Sequence, residues 1–176
     1  RQRRAERQAL PQPGPRSVGA LRLRRLARAR GGGVGARGAR IVRDRAGTVA
    51  RIVELVNKRF YNGQRVHRVV PNFVMQLGDP ATRDMTKQPD WGRGGSGTPV
   101  GAAEITKSRT HVKGAVAMAH AGDATKADSQ WYVTLSPQAA LDGKYTVFGK
   151  VISGMDVVGK LQVTDRIIRV TVREAR

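Results

Sequence analysis

Between residues 48 and 60 the hydrophobic positions recur with the spacing of one face of an α-helix. The apolar residues of this face are Val49, Ile52, Val53, Val56 and Phe60. Thr48 stands just before them and is the expected N-cap, and Asn62-Gly63 is the expected turn after the helix. The pattern therefore predicts a helix over residues 48–60.

The chain after this helix is a series of short β-rich runs separated by Gly- and Pro-rich connectors. The runs cover residues 65–70, 72–78, 114–120, 130–136, 146–152 and 166–172. A second helix is predicted over residues 153–162, where Ser153 and Asp156 have the spacing of a capping box. Many short strands with few helices predict a mainly β domain, either a closed barrel or a sandwich of antiparallel strands.

Residues 1–46 differ from the rest of the chain in composition. They are rich in Arg, Gly, Ala and Pro, hold 14 Arg and two acidic residues, and contain no aromatic residue. So few large apolar residues can hardly offset the entropy lost on ordering. Three interpretations stay open: a poorly ordered solvated arm, edge strands recruited from residues 20–26 and 39–42, or a nucleic-acid-binding arm. The sequence thus predicts two parts, residues 1–46 and residues 47–176.

Composition excludes several classes of function. The chain has no cysteine, which excludes disulfides and thiolate chemistry, and it has no apolar run of 18 residues, so no membrane span is expected. His67, His111 and His120 lack metal-ligand spacing, and no metal is expected. The net charge of +20 points to nucleic acid, but it is concentrated in residues 1–46, which lack aromatic residues for base stacking, so nucleic acid is not the expected partner.

Arg68 and Gln76 are unexpected inside the apolar segment VHRVVPNFVMQLGDP, which otherwise reads as two strands joined by a turn. This segment is followed by GRGGSG, GAVAMAHAG, SQWYVTLSPQAALDGKYTVFGKVISGMDVV and DRIIRVTV. Together these motifs resemble those of the cyclophilin family of peptidyl-prolyl cis–trans isomerases in its bacterial form. The resemblance covers roughly residues 48–172.

The resemblance implies a closed eight-stranded antiparallel barrel capped by two helices, here with an atypical Arg-rich N-terminal segment. It also implies a cofactor-free isomerase that rotates X–Pro bonds of proline-containing polypeptides and assists folding. Arg68 would act on the proline nitrogen, with Gln76 and Phe73 as the other catalytic residues. The residues that would contact substrate are Val74, Met75, Met118, Ala119, His120, Ala121, Gln130, Tyr132, Ala140, Leu141 and Tyr145.

Strand geometry restricts this site. Side chains alternate along a regular strand, so Phe73 and Gln76 serve one groove only if Phe73 lies in the bend after Pro71 or a bulge intervenes. The chain also departs from better-known eukaryotic cyclophilins. Ala140 replaces a Trp that donates a hydrogen bond to cyclosporin, so weak or absent cyclosporin binding is expected. Tyr132 stands where Phe is usual and Tyr145 where His is usual.

Two other functions remain open at this point: a non-catalytic module that binds proline peptides, and a nucleic-acid-binding protein that uses residues 1–46. A monomer is expected. The sequence leaves the compartment open, with the cytoplasm preferred and an exported form possible if a signal precedes residue 1.

Overall fold

The computed structural model describes residues 17–25, 37–42 and 46–173. Within these ranges the fold is mostly β, and the element bounds are as follows. The strands are β1 (Ser17–Arg25), β2 (Arg37–Val42), β3 (Arg68–Val70), β4 (Val74–Leu77), β5 (Ala115–Met118), β6 (Trp131–Thr134), β7 (Val147–Ser153) and β8 (Ile167–Arg173). The α-helices are α1 (Ala46–Asn57) and α2 (Met155–Val158). Short 3₁₀ turns lie at Pro80–Arg83, Met85–Asp90, Ala124–Lys126 and Ala139–Leu141.

The eight described strands form one antiparallel sheet in the order β3-β4-β6-β5-β7-β2-β1-β8. The segments that precede β3 and β8 also pair with each other. Arg65 and Arg166 form an antiparallel bridge, and the amide of Val66 donates to the carbonyl of Asp165 at 2.9 Å. All six predicted β-rich runs contain a strand, so the sequence prediction of these strands is confirmed.

β1 and β2 come from the Arg-rich region of the chain. β1 pairs with β2 and β8, and β2 pairs with β1 and β7, so each strand has a neighbour on both sides. Neither is therefore at an end of the strand order, in contrast to the edge position considered from the sequence. The remaining parts of residues 1–46, and the solvated or nucleic-acid-binding arm considered for them, lie outside the described residues.

Alternating side chains give the sheet two buried faces. One face packs with α1 in a large core that includes Ile52, Leu77, Trp131 and Phe148. The opposite face of β4, β5, β6 and the start of β7 carries a smaller cluster of Val74, Ala115, Ala117, Tyr132 and Val147. Phe73, Ala119, Leu141 and Tyr145 pack against this second cluster. The second cluster is the support on which the candidate site is built.

The start of α1 differs from the sequence prediction. The helix begins at Ala46, so Thr48 lies inside it, is buried and is not the N-cap. Instead the carboxylate of Glu104 accepts hydrogen bonds from the amides of Gly47 at 3.1 Å and Thr48 at 3.0 Å. A carboxylate from a distant loop thus satisfies the free amides of the first turn.

The end of α1 and the second helix also differ from prediction. Arg59 has a φ of 58°, its amide donates to the Val56 carbonyl, and the Phe60 amide donates to the Leu55 carbonyl. This is a Schellman ending, which stops the helix before the predicted Asn62-Gly63 turn. α2 is only four residues long, and its N-cap is Gly154, which has no side chain to accept a hydrogen bond. The predicted capping box of Ser153 and Asp156 is therefore wrong, because Ser153 is the last residue of β7.

Candidate active site

A tight turn places Phe73 beside the polar residues of β4. The Phe73 amide donates to the Val70 carbonyl at 3.0 Å, with Pro71 and Asn72 between them. Asn72 has a φ of 57°, which the third residue of a type II turn requires, and proline suits the second position. Phe73 therefore lies in the bend before β4. This is one of the two arrangements that allow Phe73 and Gln76 to serve the same groove.

Arg68 begins β3 and stands directly opposite Gln76 of β4 in the antiparallel register. Its Nη1 donates to Gln76 Oε1 at 3.4 Å, and its guanidinium carbon lies 5.5 Å from the centre of the Phe73 ring. The distance to the ring is within the range of a cation–π contact. Because Arg has five N–H donors and its side chain is exposed, donors remain for a ligand beside the aromatic ring.

A hydrogen-bond chain connects Arg68 to the Gly-rich loop. Gln76 Nε2 donates to Gln130 Oε1 at 2.8 Å, and Gln130 Nε2 donates to the carbonyls of Gly92 and Gly94 at 2.8 and 2.7 Å. Both glutamines thus have fixed amide orientations. This chain holds the Gln76 carbonyl oxygen toward Arg68.

Asp79 anchors the Gly-rich loop from the opposite side. Its buried carboxylate accepts hydrogen bonds from the amides of Gly92 at 2.7 Å, Gly94 at 3.2 Å and Ala81 at 2.8 Å. A Cβ at position 94 would lie 2.5 Å from Asp79 Oδ1, so a larger residue there would displace the carboxylate that holds the loop. The GRGGSG loop, residues 92–97, is therefore held by Asp79 and Gln130.

These elements surround a small pocket of about 100 Å³. Its lining residues are Arg68, Phe73, Val74, Gln76, Ala119, His120, Tyr132, Leu141 and Tyr145. All nine are among the residues that the sequence resemblance assigned to the site. The pocket combines apolar and aromatic side chains with the polar side chains of Arg68, Gln76 and His120.

A larger cavity of about 360 Å³ shares Ala119 and His120 with this pocket. Ala121 and Gln130, two further predicted residues, line the larger cavity and not the small pocket. The sequence analysis did not assign its other lining residues, which are Gly92, Arg93, Gly94, Gly95, Lys126, Asp128 and Ser129. The two cavities therefore adjoin at residues 119–120.

Three predicted contact residues line neither cavity. Met75 and Met118 are 0% and 1% exposed and belong to the large core, so their assignment to substrate contact is corrected. The cause is strand alternation: Val74 and Gln76 face the groove, so Met75 between them faces the core. Ala140 is exposed on the 3₁₀ turn Ala139–Leu141, and of that turn Leu141 reaches the pocket.

Aromatic rings and a histidine form one side of the pocket. The Tyr145 ring lies edge-on to Tyr132 with centroids 5.8 Å apart, and 4.4 Å from the His120 ring. His120 Nε2 is 3.0 Å from the Lys144 carbonyl, and because a carbonyl only accepts, Nε2 donates. The Ala119 amide donates to the Gln130 carbonyl at 2.9 Å and is thus committed to the fold.

Behind this wall lies a buried polar group that the sequence analysis did not assign to the site. His111 Nε2 is 2.9 Å from the Tyr132 hydroxyl, and His111 Nδ1 is 2.8 Å from Asp142 Oδ1. Burial raises the pKa of Tyr132, and the hydrogen bonds from His111 lower the pKa of Asp142. His111 lies outside the quoted motifs and is 31 residues from Asp142, so the sequence gave no local signal of this contact.

The site contains the parts needed for noncovalent chemistry on a peptide. Within the described residues no group of three or more His, Asp or Glu side chains could hold a metal ion, and no helix is both long and apolar enough to cross a membrane. What the groove presents is an exposed guanidinium, polar amides and an apolar pocket. This combination suits a ligand with an apolar ring next to a polar peptide backbone.

Comparisons with known proteins point to one family. Residues 42–175 match the family described as Cyclophilin type peptidyl-prolyl cis-trans isomerase/CLD. Peptidyl-prolyl cis-trans isomerase B of Bacillus subtilis is 42% identical over 110 residues, which are 62% of this chain and 71% of that protein. A protein of Brucella abortus named "Probable peptidyl-prolyl cis-trans isomerase" is 42% identical over 117 residues, 65% of this chain. The chain spans 59% of the length of this Brucella relative.

Solved structures support the fold. A cyclophilin type peptidyl-prolyl cis-trans isomerase of Cryptosporidium parvum, crystallised in the presence of the dipeptide Ala-Pro, superposes with a TM-score of 0.72 at 20% identity. The superposition covers 89% of this chain and 99% of that one. Since the family match covers most of the chain, this protein belongs to the cyclophilin type peptidyl-prolyl cis-trans isomerase family.

Proposed function

We propose that this chain is a peptidyl-prolyl cis–trans isomerase that acts on X–Pro bonds of polypeptides, and that the small pocket is its proline site. The observation that carries the proposal is the position of Arg68, whose guanidinium stands over Phe73 and beside Gln76 at the edge of an apolar pocket. Bacterial and plant relatives are named peptidyl-prolyl cis-trans isomerase, and a fungal relative is named peptidyl-prolyl cis-trans isomerase-like.

The chemistry requires no covalent bond to the protein. Rotation about the X–Pro amide must break its resonance, which gives a barrier of about 18–20 kcal/mol. In the twisted state the proline nitrogen becomes pyramidal and regains a lone pair. A donor placed at that nitrogen binds the twisted state more strongly than either planar state, and this lowers the barrier. Arg68 has free donors and a permanent charge for this role.

The pocket would contribute the remaining stabilisation. An acceleration of about 10⁴-fold needs about 5–6 kcal/mol, whereas one charged hydrogen bond supplies about 1.5–3 kcal/mol. Phe73, Val74, Tyr132 and Leu141 offer an apolar seat for the pyrrolidine ring, with Tyr145 at its edge. A twisted amide is less dipolar than a planar one and is therefore favoured by apolar surroundings over water. Gln76 and the backbone of residues 119–121 would hold the peptide on either side.

We also infer that the sheet closes into an eight-stranded antiparallel barrel capped by the two helices. The Arg65–Arg166 bridge and the Val66–Asp165 hydrogen bond support this, since they join the segments before β3 and β8, the two ends of the strand order. The division into residues 1–46 and 47–176 stays a prediction. The position of β1 and β2 between β7 and β8 favours a fold that depends on both parts.

Three statements about partners also stay predictions. We expect proline-containing polypeptides as ligands and a monomer in solution. We expect weak or absent cyclosporin binding, because Ala140 is an exposed alanine with no side-chain donor where related proteins carry Trp.

The test of the proposed function compares three proteins in an assay of cis–trans exchange in a short X–Pro peptide: wild type, Arg68→Ala and Arg169→Ala. Arg169 is exposed on β8 and lines neither cavity, so its substitution removes the same charge away from the site. We expect Arg68→Ala to lower kcat/KM by roughly 10²–10³-fold, and Arg169→Ala to change it by about twofold or less.

Two results would contradict the proposal. If the wild type binds the peptide without accelerating exchange, the chain is a non-catalytic proline-peptide binding module. If Arg68→Ala is as active as Arg169→Ala, the guanidinium does not act on the reacting amide.

A further inference from the structure

A chain of hydrogen bonds runs from Asp142 through His111 to Tyr132, whose ring forms one wall of the proposed proline pocket. The His111 side chain is fully buried, and its two ring nitrogens contact Asp142 and Tyr132 at 2.8 and 2.9 Å. An ionised carboxylate only accepts hydrogen bonds, so His111 Nδ1 carries the proton in that contact. When the ring is neutral, Nε2 is an acceptor, and the Tyr132 hydroxyl donates to it.

The chain fixes where the hydroxyl of Tyr132 points. The Tyr132 ring lines the pocket, but its oxygen is bonded to a histidine buried behind the wall. The rings of His111 and Tyr132 are also nearly parallel, with an interplanar angle of 14° and centroids 6.0 Å apart. A buried hydroxyl without a partner is costly, so it would turn toward any acceptor within reach, including a carbonyl in the pocket. His111 supplies that acceptor on the side away from the ligand.

His111 also holds a second wall of the pocket. Asp142 Oδ1 accepts from the His111 amide at 2.7 Å, and the His111 carbonyl accepts from the Gln138 amide at 2.8 Å. These bonds attach His111 to both ends of the segment 138–142, which includes the pocket residue Leu141. Two walls of the pocket, Tyr132 and Leu141, therefore depend on one buried residue.

We propose that His111 is a positioning residue of the isomerase site, which acts through Tyr132 and never touches substrate. It orients the tyrosine ring and keeps its hydroxyl out of the proline pocket, so that a tyrosine serves as an apolar wall where the family usually has phenylalanine. Asp142 fixes the tautomer that this role needs. This inference rests on the proposed function for its effect on catalysis, but the hydrogen-bond chain itself can be tested without activity.

Two amide substitutions separate the contacts of His111. The amide of His111→Gln reaches the place of Nε2 and can bond the Tyr132 hydroxyl, whereas the shorter His111→Asn reaches the place of Nδ1 and can bond only Asp142. We expect His111→Gln to keep kcat/KM within about threefold of wild type, and His111→Asn to lower it by about five- to tenfold, since the hydroxyl loses its partner. Urea unfolding of both variants verifies that each is folded at assay temperature.

The same pair is then made in the Tyr132→Phe background, where there is no hydroxyl to hold. We expect the two His111 variants to become equal in kcat/KM there, which makes the effects of positions 111 and 132 non-additive. A purely structural role of His111 predicts the same ratio of kcat/KM between the two His111 variants in both backgrounds. An equal ratio in the two backgrounds, or equal kcat/KM of the two variants in the wild-type background, would overturn the proposal.

A spectroscopic measurement keeps this test separate from the proposed function. Long-range ¹H–¹⁵N spectra of the wild type should show His111 protonated at Nδ1, with an Nε2 signal that shifts in Tyr132→Phe. If the wild type has no isomerase activity, the proposed function fails, while this signature still decides whether the chain of hydrogen bonds exists. A ring protonated at Nε2 alone would overturn the assignment even in an active enzyme.

Discussion

Arg68 owes its position to a series of neighbouring residues. Gln76 accepts from its guanidinium, Gln130 holds Gln76, and the carbonyls of Gly92 and Gly94 hold Gln130. Each bond removes an orientation that the next side chain could otherwise adopt. The guanidinium is thus oriented in the unliganded protein, and under the proposed function the cost of ordering it falls on folding and not on binding.

His67, the residue before Arg68, makes stability depend on pH. Burial lowers the pKa of His67 below its ordinary value of about 6.5. Between the lowered pKa and about 6.5 the unfolded chain binds more protons than the folded protein, so the free energy of unfolding falls as pH decreases through this window. The stabilisation that comes from neutral His67 is fully present above about pH 7. The free energy of unfolding stops falling on account of His67 once the pH is below its lowered pKa.

The measurement is urea unfolding of wild type and His67→Gln at pH 7.5 and pH 5. We expect the variant to lose less free energy of unfolding between the two pH values than the wild type, because position 67 no longer binds a proton. The other titrating groups are common to both proteins and cancel in the difference. Equal losses would show that protonation of His67 does not limit stability in this range.

At the scale of elements, α1 depends on a loop that is distant in sequence. The Glu104 carboxylate accepts from the first-turn amides of Gly47 and Thr48 and also places a negative charge at the helix N-terminus. We expect Glu104→Ala to lower the free energy of unfolding by about 1–2 kcal/mol, the usual cost of a lost cap. Chemical denaturation of wild type and Glu104→Ala at pH 7 measures this loss of free energy of unfolding.

Glu54→Ala is the matched control, since it removes the same charge from the exposed middle of the same helix. Glu54 bonds to Arg51 and Lys58 at 2.7 and 2.6 Å, and exposed ion pairs of this kind contribute little to stability. A loss at Glu54 equal to that at Glu104 would mean that charge on the helix, and not the cap, explains the effect.

The sequence predicted which helices and strands form better than it predicted where they begin and end. All six β-rich runs became strands because alternation and branched residues are local signals, and the motifs placed nine residues in the pocket. The sequence analysis assigned Met75 to substrate contact, although the alternation of side chains along β4 places it on the face opposite to Gln76. The cap from Glu104 and the contact of His111 with Asp142 join residues that are 56 and 31 positions apart, respectively, and no local pattern encodes them.

For the whole molecule, the decisive feature is that strands from the Arg-rich region complete the sheet. β1 has nine residues and β2 has six, and they stand between β7 and β8. The composition of residues 1–46 argued against ordered structure, yet backbone hydrogen bonds to two existing strands need no particular side chains. Sheet formation here depends on pairing with strands that are distant in sequence, and the composition of residues 1–46 alone does not reveal these partners.

This arrangement predicts how the protein responds to shortening. Deleting residues 1–45 removes β1 and β2 and leaves the inner edges of β7 and β8 without partners, and unpaired edges promote association between molecules. We expect the chain without residues 1–45 to aggregate and to lose cooperative unfolding. Deleting residues 1–16 keeps both strands, so that chain should stay in solution and unfold cooperatively. Light scattering and urea unfolding compare the two deletions with the full chain. A monomer with full stability after deletion of residues 1–45 would show instead that residues 47–176 fold independently, and that β1 and β2 are dispensable to the sheet.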